Sequence, residues 1–162
     1  MHAMLHYVRY VFDVTATHGG STSVCTVTVN VRNKNDAPYW SPPTDSNGYL
    51  PPLSIEERSK RNTRVGNTDF ASDKDLGQGL EYTIIAGNDD NMFWMRQCNG
   101  QIYVNKDMPS SGSELDFNTK QFYDLTVQVQ DDLKFFLPND QKTITAKLRV
   151  QVSIVRVCVC HV

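Results

Sequence analysis

The sequence contains no Asn-x-Ser/Thr acceptor site, no Cys-x-x-Cys pair and no apolar run long enough to span a bilayer. The missing acceptor site removes one common mark of a secreted surface. Its four cysteines (Cys25, Cys98, Cys158 and Cys160) leave no second Cys/His pair to complete a zinc or redox site. The longest apolar stretch, "VSIVRVCVCHV", is short and interrupted by Arg156, which excludes direct membrane insertion by this segment. The opening "MHAMLHYVRYVF" has no basic leader and no small-residue cleavage site. Basic excess is also lacking. Sixteen Lys and Arg against eighteen Asp and Glu give a net charge of −2. No basic stripe is present to hold a phosphate backbone, so nucleic acid is not an expected partner. Helical periodicity is absent throughout. Four histidines, at 2, 6, 18 and 161, lie near the chain ends or in a turn, and no nucleophile–base pair emerges. The chain is therefore not expected to be an enzyme.

What is present is alternation with a period of two. "YVFDVTATHGGSTSVCTVTVNV" reads as two alternating runs joined by a Gly-Gly turn, the pattern of a β-hairpin. A polar stretch follows, "APYWSPPTDSNGYLPP", which carries five of the seven prolines and cannot be helical. It reads as a linker and an irregular lead-in to a new domain. Seven strand-like segments come next. They are "LSIEE", "TRVGNTDFA", "GLEYTIIAG", "MFWMR", "QIYV", "KQFYDLTVQVQD" and "KTITAKLRVQVSIV". Asn99-Gly100 marks a hairpin turn between the fourth and fifth. Phe122, Leu125, Val127 and Val129 are the core candidates of the sixth. Short strands separated by turn signals predict an all-β fold, a seven-stranded Greek-key β-sandwich, preceded by an incomplete two-stranded fragment. The first hairpin is expected to be the end of a preceding domain, with the chain an internal piece of something longer. The predicted organisation is 1–32 for the hairpin, 33–48 for the linker and lead-in, 49–157 for the complete domain and 158–162 for a tail.

Oxygen-bearing side chains gather at the strand ends. "ASDKDLGQG" holds Asp73 and Asp75, which share a face if the backbone is extended. Two carboxylates about 5 Å apart repel by roughly 3 kcal/mol at an effective dielectric of 20. A hard divalent cation removes that repulsion, and Ca2+ takes six to eight oxygen ligands. The glycines at 77 and 79 allow the following loop to turn a carbonyl inward. Asp131 ends a long strand, Asn35 and Asp36 sit in the linker, and Glu57 ends the "LSIEE" segment. Each alone has a plain reading as a solvated turn. Soft ligands do not gather at the same places, so the set favours Ca2+ over a transition metal.

The chain resembles extracellular cadherin repeats of the cadherin, protocadherin and Fat-like superfamily. "VTVNVRNKNDAPYW" resembles the end of one repeat plus the inter-repeat linker. "SIEERSKRNT" resembles the strand-ending Glu motif, and "FASDKDLGQGLEYTI" the Asp-x-Asp signature followed by Leu-x-Tyr. "MFWMRQCNGQIYV" and "LDFNTKQFYDLTVQVQD" match two further motifs in the family's order, the second giving Asp116 and Asp131. "YVFDVTATHGG" is similar to the same final motif in a preceding repeat. The resemblance covers residues 7–155. It implies an immunoglobulin-like sandwich and a Ca2+ site at the first joint made by Asn35, Asp36, Asp73, Asp75 and Asp131. Glu57 and Asp116 would serve the downstream joint. It further implies a calcium-binding adhesion module on the extracellular side of the plasma membrane, within a larger single-pass protein. Its partners would be neighbouring repeats and cadherin-type domains, homophilic or heterophilic. Trp40, after the linker proline, is expected in the core.

Departures from the family pattern are equally legible. Asn33 stands in the place of the linker's first Asp, and the linker is one residue short before Pro38. His18 replaces the preceding repeat's final Asp, Asn118 replaces the Glu of the Leu-Asp-x-Glu motif, and no Asn-Asp linker follows the last strand. One reasonably complete ion site, around Asp73, Asp75 and Asp131, is expected. Shared sites should be partial. A calcium-independent spacer repeat is the alternative reading. A secreted hydrolase using these aspartates as general acid and base is a third.

Overall fold

The structure is a computed structural model, and it describes residues 7–32, 34–75, 77–106, 115–132 and 140–154. The chain divides into two compact units, Met1–Asn35 with Leu133–Gln141, and Asp36–Asp132 with Lys142–Val162.

The first unit is built on one antiparallel hairpin. Strand β1 (Tyr7–His18) pairs with β2 (Ser21–Arg32) in unbroken register from Tyr7 opposite Arg32 to His18 opposite Ser21. Gly19 and Gly20 turn the chain with φ of 55° and 82°. Two consecutive positive φ values define a turn whose twist matches the strands, and they are why both positions are glycine. Register sorts the side chains. Val8 with Val31, Tyr10 with Val29, Phe12 with Val27 and Val14 with Cys25 share one face. The other face carries Arg9 with Asn30, Asp13 with Thr26 and Thr17 with Thr22. On that polar side the Thr26 hydroxyl donates to Asp13 at 2.6 Å.

The second unit is a β-sandwich. One sheet has the order β4 (Leu53–Glu56), β11 (Thr143–Ser153), β10 (Phe122–Asp131), β7 (Leu80–Ala86). The other has the order β5 (Arg64–Asn67), β9 (Gln101–Val104), β8 (Phe93–Met95). These seven strands are the seven segments predicted from the sequence. A short pair adds to them, β3 (Tyr39–Trp40) with β6 (Ala71–Ser72). "TRVGNTDFA" is thus two strands in two sheets, not one. Between them the Thr68 N–H and hydroxyl both donate to the Gly100 carbonyl, and the Asp69 N–H donates to the Asn67 side chain. These local bonds take the backbone out of the ladder, and the strand changes sheet. The expected Asn99-Gly100 turn is wider than two residues. Strand β8 ends at Met95, and the Gly100 N–H closes onto the Arg96 carbonyl at 2.9 Å.

The core is laid down by alternation in β10 and β11. Tyr123, Leu125, Val127 and Val129 point inward, opposite Val150, Leu148, Ala146 and Ile144. Leu125, Val127, Val129, Leu148, Val150 and Val152 are fully buried. Each such side chain stabilises the fold by about 1.5–3 kcal/mol relative to exposure. Phe122, predicted for the core, is one residue out of phase. It lies half-exposed on the outer face, with the Arg149 guanidinium 4.5 Å from its ring centre. Tyr123 takes the inward place and meets Phe93 of the facing sheet edge-on, with ring centres 5.1 Å apart. Trp40 packs against this core as predicted, and its indole N–H donates to the Thr145 carbonyl at 3.3 Å. On the outside Arg149 grips Asp124 with two bonds of 2.8 Å. That pairing holds the Asp124 carboxyl below its ordinary range.

Gly87 ends β7 at φ 79°, where a Cβ would stand 2.0 Å from the Asp124 carbonyl. Both the backbone angle and the space require glycine there. Gly87→Ala is expected to lower the unfolding free energy by on the order of 3 kcal/mol in a urea titration. An unshifted midpoint would contradict this account of the β7–β10 contact.

Candidate metal centre

The inward register of β10 does not stop at Val129. Two residues on, it delivers Asp131 to the same interior side, fully buried at the end of the sheet. A carboxylate there has to be held by hydrogen bonds. The Lys142 N–H donates to Asp131 Oδ1 at 2.9 Å, and the Asp131 N–H donates to the Lys142 carbonyl at 3.1 Å. A strand end is thereby converted into a fixed oxygen donor.

Asp73 and Asp75 follow β6, but not in the extended form the sequence suggested. The chain bends after Ser72, and the Asp75 N–H donates to Asp73 Oδ1 at 2.8 Å. This is an Asx-type closure, a local bond that competes with extended backbone. The bend buries Asp75 and leaves Asp73 half-buried. Asp73 Oδ2 is sealed from solvent and has no hydrogen-bond partner among the described residues. Burial raises the Asp73 pKa, and the neighbouring charges of Asp75 and Asp131 raise it further; the bond from the Asp75 N–H opposes them. Three carboxylates are therefore close enough to feel one another. The loop after them is also tied down. The Asp132 N–H donates to the Gly79 carbonyl at 2.9 Å, and the Gln78 side chain reaches the Asp132 carbonyl at 3.3 Å. Leu76 lies outside the described residues.

The linker enters this cluster through its backbone. The Asp36 N–H donates to Asp75 Oδ2 at 2.7 Å, while the Asp36 side chain stays exposed. Sequence reasoning assigned Asp36 a side-chain role and gave no hint of this backbone bond. Asn35 is buried, and its amide donates to the Asp140 carbonyl at 2.6 Å. Asn33 lies outside the described residues, as do Cys158 and Cys160.

Glu57 and Asp116 come together at the other end of the sandwich. Strand β11 separates the two ends by roughly 35 Å at about 3.3 Å per residue. The Phe117 N–H donates to Glu57 Oε2 at 3.4 Å, and the Arg58 N–H to the Leu115 carbonyl at 2.8 Å. Asp116 is already engaged in its own turn. It accepts from the Thr119 hydroxyl at 2.7 Å and the Asn118 N–H at 3.0 Å, and these bonds hold its pKa low.

Among the described residues, no three His, Cys, Asp or Glu side chains stand close enough to make a metal shell by themselves. The donors at the Asp73 end are nonetheless all hard oxygens, and one of them is buried without a partner. Such a set suits Ca2+, which completes its shell with carbonyls and water, and does not suit a thiolate- or imidazole-seeking metal. A concavity beside β7 and β8, lined by Tyr82, Ile84, Asn88, Phe93 and Trp94 among others, presents no carboxylate, histidine or cysteine.

Comparison with known proteins shows the family. A cadherin-domain family model matches residues 51–154. The chain belongs to the cadherin family. It is similar to mouse Protocadherin-15, with 31% identity over 135 residues, or 82% of this chain and 6% of that protein. It is likewise similar to mouse Cadherin-23, with 34% identity over 131 residues, 76% of this chain and 4% of that protein. The chain thus spans a small fraction of these relatives. Its fold matches the crystal structure of human mucin-like protocadherin EC1-2 with a TM-score of 0.61 at 20% identity, covering 91% of this chain and 69% of that one. Cadherin repeats in general bind Ca2+, and the family is one of adhesion domains. Among the described residues no helix is long and apolar enough to cross a membrane.

The raised Asp73 pKa has a definite sign in stability. A carboxyl whose folded pKa stands above 3.8, its ordinary value, holds its proton more tightly in the folded state. Folding stability contributed by this group is then highest below pH 3.8, falls as pH rises through the folded pKa, and stays lower above it. Asp73→Asn keeps an oxygen to accept the Asp75 N–H but carries no charge. In calcium-free buffer this variant is expected to melt above the wild type at pH 7, with the difference vanishing below pH 3.8. Superimposable melting curves at pH 7 would refute the repulsion.

Proposed function

We propose that this chain is a calcium-stabilised cadherin repeat of an extracellular adhesion protein, with Asp73, Asp75 and Asp131 holding Ca2+ at the linker end of the sandwich. The observation that carries the reading is the partnerless, buried Asp73 Oδ2 within the field of two further buried carboxylates. When bound, Ca2+ supplies positive charge that offsets this crowding. The residues do the rest. Asp131 is fixed by the Lys142 backbone, Asp75 is fixed by Asp73 and by the Asp36 N–H, and Asp73 keeps one oxygen uncommitted. The family resemblance implies Asn35 at the same ion and a bridging place for Asp36. Because the Asp36 N–H already holds Asp75, an ion on Asp75 would stiffen the linker as well as the sandwich. That stiffening is the mechanical role proposed for the repeat. It would let distal repeats of a longer single-pass membrane protein meet cadherin-type domains, homophilic or heterophilic, outside the cell. Residues 1–32 are proposed to be the closing hairpin of another repeat; the similarity to Protocadherin-15 extends over more residues than the domain match itself.

Glu57 and Asp116 are proposed as part of a weaker downstream site. Asp116 accepts one bond on each oxygen, from Asn118 and Thr119, so an ion there would share its ligand with these bonds. The calcium-independent spacer remains the second reading, favoured by the absence of a ready-made three-residue shell among the described residues.

Calorimetric titration with Ca2+ separates these readings. The wild type and a Glu57→Gln/Asp116→Asn variant are expected to share one main binding event. Asp73→Ala/Asp75→Ala is expected to lose it, with affinity falling at least about a hundredfold, the equivalent of about 2.7 kcal/mol. No heat and no saturation in the wild type at millimolar Ca2+ would leave the spacer reading in place.

A further inference from the structure

The cation site uses one end of the β-sandwich and leaves its broad faces unexplained. On the β5–β9–β8 sheet, Ile102 and Val104 of β9 and Phe93 of β8 turn inward and are fully buried. Alternation then sends Tyr103 and Trp94 outward. Register sets Arg64 of β5 opposite Tyr103, and Tyr103 opposite Trp94, so the three form one row across the sheet. Trp94 and Tyr103 stack with ring centres 4.6 Å apart and planes 14° from parallel. The Arg96 guanidinium stands 5.9 Å from the Tyr103 ring centre, and the Tyr103 hydroxyl donates to the Gln101 side chain at 2.7 Å. The row is thus held in place by its own contacts. This sheet belongs to the sandwich that the family model matches in full, and its inner face already meets the core, with Phe93 against Tyr123. No strand of the repeat is left to cover the outer face.

We propose that this face binds an acidic segment of a partner protein, with carboxylates on Arg64 and Arg96 and an apolar side chain in the concavity beside Trp94. Three observations select that occupant. The first is charge. The strands β5, β8 and β9 contain no acidic residue, although the chain as a whole carries a net charge of −2. Arg64 and Arg96 are exposed, and neither makes an ion pair among the described residues. Lys60 and Arg61, in the turn before β5, are exposed as well. The acid that follows β5, Asp69, accepts the Tyr82 hydroxyl at 3.1 Å. A carboxylate is the complement of two such guanidinium forks. The second is side-chain type. Trp, Tyr and Arg are the residues that anchor protein interfaces, because they bring large contact area with a polar handle. The third is the concavity between β7 and β8, of about 480 Å3, walled by Ile84, Phe93, Trp94 and Met95 and reached by Arg96. Its apolar walls call for an apolar side chain next to the charge. A sulfated glycan supplies anionic charge without that side chain, and a protein segment supplies both. The inference does not depend on the cation site, which lies at the end of the sheets.

The test titrates the full chain with a short synthetic peptide that alternates glutamate and phenylalanine, read by fluorescence anisotropy of a dye on the peptide. The wild type is expected to bind with Kd on the order of 10–100 μM, both at millimolar Ca2+ and in chelator. Arg64→Gln/Arg96→Gln is expected to weaken binding at least about tenfold. Lys120→Gln/Lys147→Gln removes the same charge from exposed sites away from this face and is expected to bind like the wild type. Far-UV circular dichroism checks that each variant keeps its fold. A proton–nitrogen correlation spectrum of the wild type locates the site without any substitution. Of the two indole N–H signals, that of Trp94 is expected to move with added peptide and that of Trp40 to stay. A peptide with glutamine in place of glutamate is expected not to bind. Absence of binding by the acidic peptide at about 1 mM overturns the proposal. Equal weakening in both variants, a stationary Trp94 signal, or loss of binding in chelator by a chain that is still folded overturns it as well. Tighter binding of a heparin fragment than of the peptide overturns it in favour of a sulfated glycan.

Discussion

The pairing of β10 with β11 is the constraint on which the rest of the second unit depends. Nine consecutive residue pairs in one antiparallel register put Leu125, Val127 and Val129 opposite Leu148, Ala146 and Ile144. A one-residue slip would expose that entire set and bury Asp124 with Arg149 instead. The hydrophobic pattern therefore selects the register, and the register in turn places Asp131. The same alternation that makes the core brings a carboxylate to its end. The position of the Asp131 carboxylate is thus a continuation of folding.

Backbone N–H groups fix two of the carboxylates at the acidic end. Asp131 is anchored by the Lys142 backbone N–H. Asp75 receives the Asp36 N–H, again a backbone donor. Contrast the outer face, where Asp124 is met directly by a guanidinium. At the linker end, Asp73 Oδ2 is buried without a hydrogen-bond partner among the described residues, beside Asp75 and Asp131. That buried oxygen is what makes a cation the proposed complement of this end. At the Glu57 end, hydrogen bonds within the Asp116 turn have absorbed the same chemistry into local structure.

Much of this was legible from the residues. The Gly-Gly hairpin, the seven sandwich strands and the packing of Trp40 against the core all follow from alternation, turn chemistry and the proline-rich lead-in. What was not legible has physical causes. The phase of a strand cannot be read when apolar residues sit at adjacent positions, and Phe122-Tyr123 is such a pair; the aromatic with an arginine neighbour went outward. Asp73 and Asp75 looked extended because Asp-Lys-Asp carries no mark of an Asx bend. "TRVGNTDFA" hid a change of sheet because both Thr68 bonds go to the Gly100 carbonyl, more than thirty positions away. The backbone bond from Asp36 is invisible to any reasoning that counts side-chain oxygens.

The central claim is that the crowded carboxylates around Asp73 are a folding liability which Ca2+ converts into a gain. Thermal unfolding of the wild-type chain, first in chelator and then with Ca2+ raised to millimolar levels, tests it most directly. A ligand bound only by the folded state adds about 2.7 kcal/mol at a hundredfold excess over Kd. The account predicts a melting temperature that climbs steadily with the logarithm of Ca2+ concentration and shows no such climb with Mg2+, whose stricter octahedral shell suits this loop poorly. A melting temperature indifferent to Ca2+ would contradict it, and would leave the aspartates as a strained but ion-free turn.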